Sequence, residues 1–440
     1  MEKIHIITLG CSKNTVDSEY MLGVLKEGYE LTSDIEESDI VIINTCAFIK
    51  DAKEESINTI FEVVNLKNDG IVKKIVVAGC LSQRYYEELL KEIPEIDLFI
   101  GTSNYDEILK ILEESKAGAV VTNPSRIIPD RLPRVLTESK HYAYVKIAEG
   151  CDNLCTYCII PQLRGKYRSR KMEDILEEVG FLAEKGIREI IVIAQDTSKY
   201  GIDLYGEKKL HTLLERISEI EGVEWVRVHY IYPEDFYGEL LETFAVNEKL
   251  LNYFEIPLQH VNDNVLKRMN RHTNRKSIEA LLTSIRNRIP DAAIRTTFIV
   301  GFPGETEEQF EELEKFVEEF KFDRLGVFAY SEEEGTPAAR MMERIDEDIR
   351  EERRSILMEK QMNISIEKNK GFINKRFDVI IDSYVEENRY IGRTYMDSPD
   401  IDGVVYVDSK HELKPGDIVD VKITESLEYD LIGEYYELAQ

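Results

Sequence analysis

Cys151-Asp152-Asn153-Leu154-Cys155-Thr156-Tyr157-Cys158 sets three thiols in one short stretch, with three and then two residues between them. A loop with that spacing can wrap three corners of a four-iron, four-sulfur cubane, leaving the fourth iron open to a small molecule. Gly150 lets the chain turn sharply into the loop. The competing reading is zinc, which wants a fourth Cys or His close by or in a second paired motif; here the nearest downstream histidine is His211. An apolar run at 143–147 precedes the loop, and others follow at 189–193, 225–230, 253–256, 292–299 and 324–329, each trailed by a helical pattern. Six βα units over 141–370 predict a partial, open (β/α)6 barrel in preference to a closed eightfold one. The cysteine loop follows the first strand, at the carboxyl-terminal face where barrels build active sites.

The other three cysteines, Cys11, Cys46 and Cys80, are 35 and 34 residues apart. Residues 1–120 alternate strand patterns at 4–9, 40–43 and 74–78 with helical ones at 18–26 and 52–66, which predicts a parallel α/β domain. Each strand stops just before a cysteine, in Leu9-Gly10-Cys11, Asn44-Thr45-Cys46 and Ala78-Gly79-Cys80. The carboxyl ends of parallel strands share one edge, where ligands bind, so the three thiols are expected to converge. Any one of them alone reads equally well as a small buried hydrophobe. The repeated topological position is what points to a second three-thiolate site.

Between 113 and 141 the pattern weakens around Thr122-Asn123-Pro124-Ser125, Pro129 and Pro133, so 121–140 reads as a linker. Residues 345–370 are dense in charge and read as a solvated helix. Period-two alternation then appears at 377–381, 403–407 and 418–423, with Lys414-Pro415-Gly416-Asp417 as a turn, which predicts a small antiparallel β barrel over 374–440. The fold class is therefore multidomain α/β, and 440 residues suit two or three domains. No apolar run approaches the ~18 residues of a membrane span, and the first residues run into a strand without signal-peptide features. A cytoplasmic protein with reduced thiols is expected, where clustered cysteines mean metal or catalysis more often than disulfides. The net charge of −29, from 85 acidic and 56 basic residues, opposes a phosphate backbone and favours a basic protein partner.

With its three-cysteine loop, its three spread cysteines and its terminal β pattern, the chain resembles, end to end, the radical S-adenosylmethionine (SAM) methylthiotransferases. These have an N-terminal three-cysteine domain, a radical SAM barrel and a C-terminal TRAM domain. The resemblance implies two 4Fe-4S clusters. One, on Cys151, Cys155 and Cys158, binds SAM through its open iron and, given an electron from a reducing donor, cleaves it to a 5'-deoxyadenosyl radical. The other, on Cys11, Cys46 and Cys80, carries sulfur from a sulfur source, which a second SAM methylates before transfer. No side chain is assigned as acid or base. SAM contacts are implied for Tyr157, for Gln195 beside Asp196, for Gln259 beside His260, and for Gly301, Gly304 and Glu305 within Gly301-Phe302-Pro303-Gly304-Glu305-Thr306. Each also reads as an ordinary loop group: the glycine turn as a strand-to-helix connection capped before Glu305, and His260 as structural, since radical hydrogen abstraction needs no general base.

Two branches of that family differ in substrate: one modifies a transfer RNA adenosine, the other the β carbon of an aspartate on ribosomal protein S-twelve. Three stretches resemble the second branch: Leu9-Gly10-Cys11-Ser12-Lys13-Asn14 with Asp17-Ser18-Glu19, Ala194-Gln195-Asp196-Thr197-Ser198, and Tyr330-Ser331-Glu332-Glu333-Glu334-Gly335-Thr336. The transfer RNA enzymes tend to have Gln-Met-Asn after the cysteine, a Gln-Asn-Val-Asn stretch, and a basic residue or proline, respectively. TRAM domains usually bind RNA through exposed Lys and Arg. From residue 375 onward this chain has seven Lys and Arg against sixteen Asp and Glu, a balance that opposes direct RNA binding and suits a basic ribosomal protein, free or in the small subunit. The alternatives are a transfer RNA adenosine methylthiotransferase and, from another class, a non-catalytic iron-sulfur or zinc scaffold docking on ribosomes.

Overall fold

The computed structural model describes residues 1–114, 117–127, 129, 131–137 and 141–436. Parts of the expected linker (128, 130, 138–140) and the final four residues of the expected terminal barrel lie outside these. The first sheet holds β1 (Lys3–Thr8), β2 (Glu30–Leu31), β3 (Ile40–Thr45), β4 (Lys74–Gly79), β5 (Leu98–Ile100) and β6 (Gly118–Val120), in the order β2-β1-β3-β4-β5-β6, with every pairing parallel. β3 is buried along its whole length, as a parallel strand covered on both faces must be. β6 falls where the sequence pattern weakens; it lacks alternation and is held as an edge by pairing with β5.

The helix expected from residue 18 begins six residues earlier, as α1 (Ser12–Leu25). Its opening turns are polar and so look like a loop in sequence. They are nevertheless buried, because Asn14 and Asp17 find partners across the seam with the next domain and Glu19 pairs with Arg134 of the connecting segment. α2 (Lys50–Asn68), α3 (Cys80–Glu92) and α4 (Ile108–Glu114) complete the N-terminal crossovers.

The second domain contains β7 (Tyr142–Lys146), a short pair of β8 (Ala148–Glu149) and β9 (Arg168–Ser169), then β10 (Glu189–Ile193), β11 (Trp225–Val228), β12 (Tyr253–Glu255), β13 (Ala293–Val300) and β14 (Arg324–Ala329). Its six long strands form two parallel sheets, β11-β10-β7 and β12-β13-β14. A bridge from Val226 to Leu250 and the Ile231 N–H donating to the Glu255 carbonyl at 3.0 Å join them into an open barrel. The charged helix Glu347–Lys370 is not simply solvated. Arg353, Leu357, Gln361 and Ile364 bury one face, and the Gln361 amide donates to the Phe322 carbonyl at 2.9 Å, just before the barrel's edge strand β14.

The terminal strands are β15 (Arg376–Glu386), β16 (Arg389–Arg393), β17 (Val405–Asp408), β18 (Ile418–Ser426) and β19 (Leu431–Tyr435), closed in the order β15-β16-β17-β19-β18. All pairings are antiparallel except β17 with β19, which is parallel. The loop 394–402 of this barrel reaches four consecutive strands of the larger one. Arg227 donates to the Tyr395 carbonyl at 2.8 Å, Tyr253 to Asp402 at 2.8 Å, and Arg295 and Arg324 pair with Asp402 and Asp397.

The described part of 121–137 has no regular structure but is clamped. Arg126 pairs with Asp106, Arg131 with Asp174, and buried Arg134 with both Glu19 of α1 and Glu178. It is a strap over the seam between the first two domains.

Candidate active site

Each thiol of the N-terminal set stands where a strand ends. Cys11 caps α1 after β1, Cys46 directly follows β3, and Cys80 opens α3 after β4. β1 and β3 flank the point where the strand order reverses, the usual crevice for ligands in such sheets. Gly10, at φ +92°, brings the Cys11 turn against Cys46: a Cβ there would sit 2.7 Å from the Cys46 Cβ. Cys11 is exposed, Cys46 and Cys80 are buried, and all six cysteines of the chain are free. Burial pushes the Cys46 thiol up to about 12, and the charges of Cys80 and Cys11 add to the push. Three thiolates crowded this way need a positive partner, which a metal cluster supplies.

At the barrel, Gly150 (φ +81°) turns the chain against the Lys166 carbonyl, and the Cys151 N–H donates to the Gly165 carbonyl at 3.1 Å. Leu154, at φ +52°, lets the loop fold back between its first two cysteines. Thr156 anchors it through its N–H to the Met269 carbonyl and its hydroxyl to the Arg268 carbonyl. Burial pushes the Cys151 thiol up to about 11; Cys158 is also raised, by burial and by neighbouring Cys155. No group of three His, Cys, Asp or Glu among the described residues is gathered as a single-ion chelate. Each site offers three free thiols, the donor set of a cubane with one open iron.

The other expected residues ring the same mouth. Tyr157 is half-buried between two of the thiols. The Gln195 amide nitrogen donates to Glu149 at 2.6 Å while its oxygen is buried without a partner. Gln259 adopts φ +70°, its backbone bonded to Thr297 and Ile299 of β13. Gly301 and Gly304 both have positive φ and pack under Arg350 and Arg268. Glu305 faces inward: one oxygen accepts the Gly301 N–H at 3.0 Å and the other the Arg353 guanidinium at 2.6 Å. The following helix, Glu307–Phe320, is capped at Thr306 by a reciprocal bond with Gln309. His260 is fully buried, its Nδ1 accepting the Asn262 N–H.

A buried polar chain that sequence reasoning missed joins the two cysteine sets. The charge of Arg164 opposes the upward push of burial on the Cys80 thiol. The same guanidinium donates to Asn14 at 2.6 Å and pairs with Asp17 at 2.5 Å. Lys146 pairs with Asp17 and with Glu149, and Glu149 accepts from Gln195. Burial would raise the Glu149 carboxyl, but Lys146 and Arg164 hold it well below its ordinary value. Asp196 accepts from Asn153 inside the cysteine loop, and Thr197 bonds the carbonyls of His229 and Tyr230. Glu333, in the acidic run after β14, is buried and pairs with Lys53 and Arg84 of the first domain. Part of that run is thus an interdomain brace. Lone charged residues carry no sequence mark of such pairing.

Residues 3–101 match the Uncharacterized protein family UPF0004, 145–317 the Radical SAM superfamily and 373–435 the TRAM domain. The fold resembles that of the radical SAM methyltransferase TsrM from Kitasatospora setae, solved with cobalamin and a [4Fe-4S] cluster. The TM-score is 0.57 at 13% identity, over 77% of each chain; at that identity the likeness is one of fold. Among curated proteins, the ribosomal protein uS12 methylthiotransferase RimO of Clostridioides difficile is 51% identical over the full length of both chains. That of Clostridium tetani is 50% identical over 98% of this chain and 97% of its own. Identity at that level along the whole chain, with a radical SAM barrel at its centre, makes the protein a SAM-dependent transferase and places it in the RimO family of ribosomal protein uS12 methylthiotransferases.

Proposed function

We propose that the chain adds a methylthio group to the β carbon of an aspartate on ribosomal protein uS12, the S-twelve protein, using two 4Fe-4S clusters and SAM. The observation that carries this reading is half-identity from end to end with uS12 methylthiotransferases. Cys151, Cys155 and Cys158 would hold one cluster, and Cys11, Cys46 and Cys80 the other. When bound, these groups supply the electron for SAM cleavage and the seat of the transferable sulfur. Tyr157, Gln195, Gln259 and the backbone at Gly301 and Gly304 line SAM's place, with the buried, unpartnered Gln195 oxygen ready to accept from it. Glu305, whose two oxygens are both engaged, shapes the Gly301 turn from behind. The functional units are residues 1–120, the strap 121–140, the barrel 141–370 and the terminal barrel 374–440. A reductant and a sulfur source complete the reaction, in the cytoplasm where ribosomes assemble.

The test is mass spectrometry of uS12, free and in the small subunit, after incubation with the enzyme, SAM, reductant and sulfide. The expected result is a methylthio addition on one aspartate. Modification of transfer RNA with uS12 unchanged would move the chain to the other branch, and absence of 5'-deoxyadenosine would reduce it to a scaffold.

A further inference from the structure

The open barrel ends in two edge strands, β7 and β14, and the chain treats them differently. Just past β7 the Ile147 N–H donates to the Ile193 carbonyl at 2.9 Å. Backbone groups alternate in direction along a strand, so Tyr144 and Lys146 turn their carbonyls away from β10. Both are taken: Arg134 donates to the Tyr144 carbonyl and Arg170 to the Lys146 carbonyl, each at 2.8 Å. At the other edge the Asp323 N–H donates to the Ile294 carbonyl at 3.0 Å, which leaves Arg324, Gly326 and Phe328 directing their N–H and C=O groups away from β13. Among the described residues those backbone groups have no hydrogen-bond partner. β14 is six residues long, whereas the outer strands of the first sheet have two and three, and the terminal barrel is closed. A long bare edge is what proteins ordinarily cover, shorten or charge.

The inner face of β14 is uncovered as well. Arg324 is held by Asp397 of the terminal barrel, but further along Gly326 is half-buried and Phe328 is 52% exposed. They stand in register with Thr297 and Ile299 of β13. A Cβ on Gly326 would find its nearest neighbour, Phe328, at 3.6 Å, so the barrel is open there. The carboxyl end of β14 leads to the mouth. The Tyr330 ring meets Phe302 of the glycine turn edge-on, centroids 5.5 Å apart, and the Ser331 hydroxyl accepts the N–H of Lys50, four residues after Cys46, at 3.4 Å. From Glu332 to Asp348 the exposed charges are six acidic and two basic.

We propose that an extended segment of the protein substrate docks on β14 as an added strand, its backbone pairing with Gly326 and Phe328 and its side chains packing over the Phe328 ring. This rests on the function proposed above. An added strand satisfies the bare backbone and delivers its end to the mouth between the two cysteine sets, with side-chain pockets supplying specificity. The acidic frame suits a basic protein. The residues lining SAM's place lie in the cysteine loop, beyond β10 and β12, and in the turn after β13; none is on β14. A second copy of this chain would bring the same edge with the same acidic frame, and like charges repel.

The test is hydrogen–deuterium exchange of the full-length, cluster-loaded enzyme with SAM and without reductant, resolved to single residues over 323–330, with and without uS12. Before uS12 is added, the Gly326 and Phe328 amides should exchange faster than those of Leu325 and Val327, which face β13. Saturating uS12 should slow Gly326 and Phe328 about tenfold or more and leave Leu325 and Val327 nearly unchanged. Gly326→Pro removes an outward N–H and spares the ladder to β13; it should weaken uS12 binding about tenfold, the scale of one or two backbone hydrogen bonds. Iron and sulfide content confirm loading, and the exchange of the wild-type chain stands as the test if the proline variant fails to load. Binding of uS12 with Gly326 and Phe328 exchanging as before overturns the inference, as does full affinity in a loaded Gly326→Pro. Equal slowing of all four amides overturns it too, because a general tightening of the barrel needs no added strand. Protection that grows with enzyme concentration in the absence of uS12 gives the edge to a second copy and overturns it likewise. If the wild-type enzyme neither binds nor modifies uS12, the functional reading itself has failed.

Discussion

Cys155 and Cys46 are almost equally sealed, at 6% and 8% exposure, but they belong to different donor sets and their losses should separate. Cys155→Ala leaves two thiolates at the barrel, too few to hold a cubane. Iron should fall by about one cluster per chain and 5'-deoxyadenosine production should vanish. Cys46→Ala should keep SAM cleavage and lose methylthio transfer; transfer at the wild-type rate would make Cys46 a core residue. A second residue-scale prediction concerns Glu178, where burial is outweighed by Arg170 and Arg134, bringing its carboxyl down to about 2. Its folded pKa lies below the ordinary value, so its stabilisation is complete above pH ~4.5 and is lost as pH falls towards 2. Glu178→Gln should flatten the acid-unfolding profile in that window, read by circular dichroism. The cysteines were legible because spacing and topological repetition mark them. Arg134 and Arg164 were not, because a lone charged residue in sequence reads as surface until its partner, distant along the chain, is in place.

At the scale of elements, the helix Glu347–Lys370 shows how two buried apolar residues two turns apart, Leu357 and Ile364, interleaved with buried Arg353 and Gln361, are enough to dock a mostly charged segment. Leu357 is fully buried, while Ile349 on the same helix is 40% exposed. Leu357→Ala should cost about 2–5 kcal/mol and Ile349→Ala less than about 0.5 kcal/mol, compared as shifts in the barrel's denaturant transition. The long barrel strands were readable from their apolar runs. β16 and β19 were not, because glycine interrupts each pattern. A Cβ on Gly392 would lie 2.5 Å from the Ile380 carbonyl oxygen, and one on Gly433 2.5 Å from the Val421 side chain. Those glycines mark close approaches in a small closed barrel, where packing overrides strand propensity. The early start of α1 was hidden for a different reason: its polar turn is buried in a seam formed only when two domains meet.

Over the whole molecule, charge is divided between holding the domains together and facing outward. Asp382, Asp397 and Asp402 of the terminal barrel turn towards His141, Arg324 and Arg295 of the larger one, so they are unavailable to a partner. Glu386 and Glu387 at the β15–β16 hairpin, together with Glu412, Glu425, Glu428 and Glu434, remain exposed. This outward set would steer a basic protein towards the enzyme and repel RNA, acting on encounter more than on final affinity. Exposed charges are screened beyond ~8 Å at physiological ionic strength and beyond ~3 Å at 1 M salt. The association rate with uS12, followed by stopped-flow fluorescence, should therefore fall steeply as salt rises. Replacing Glu386, Glu387 and Glu412 together by Lys should slow association several-fold at low salt and make little difference at 1 M, with the dissociation rate nearly unchanged. An association rate indifferent to both salt and the triple substitution would mean that the acidic face serves solubility alone, and that recognition lies wholly at the larger barrel.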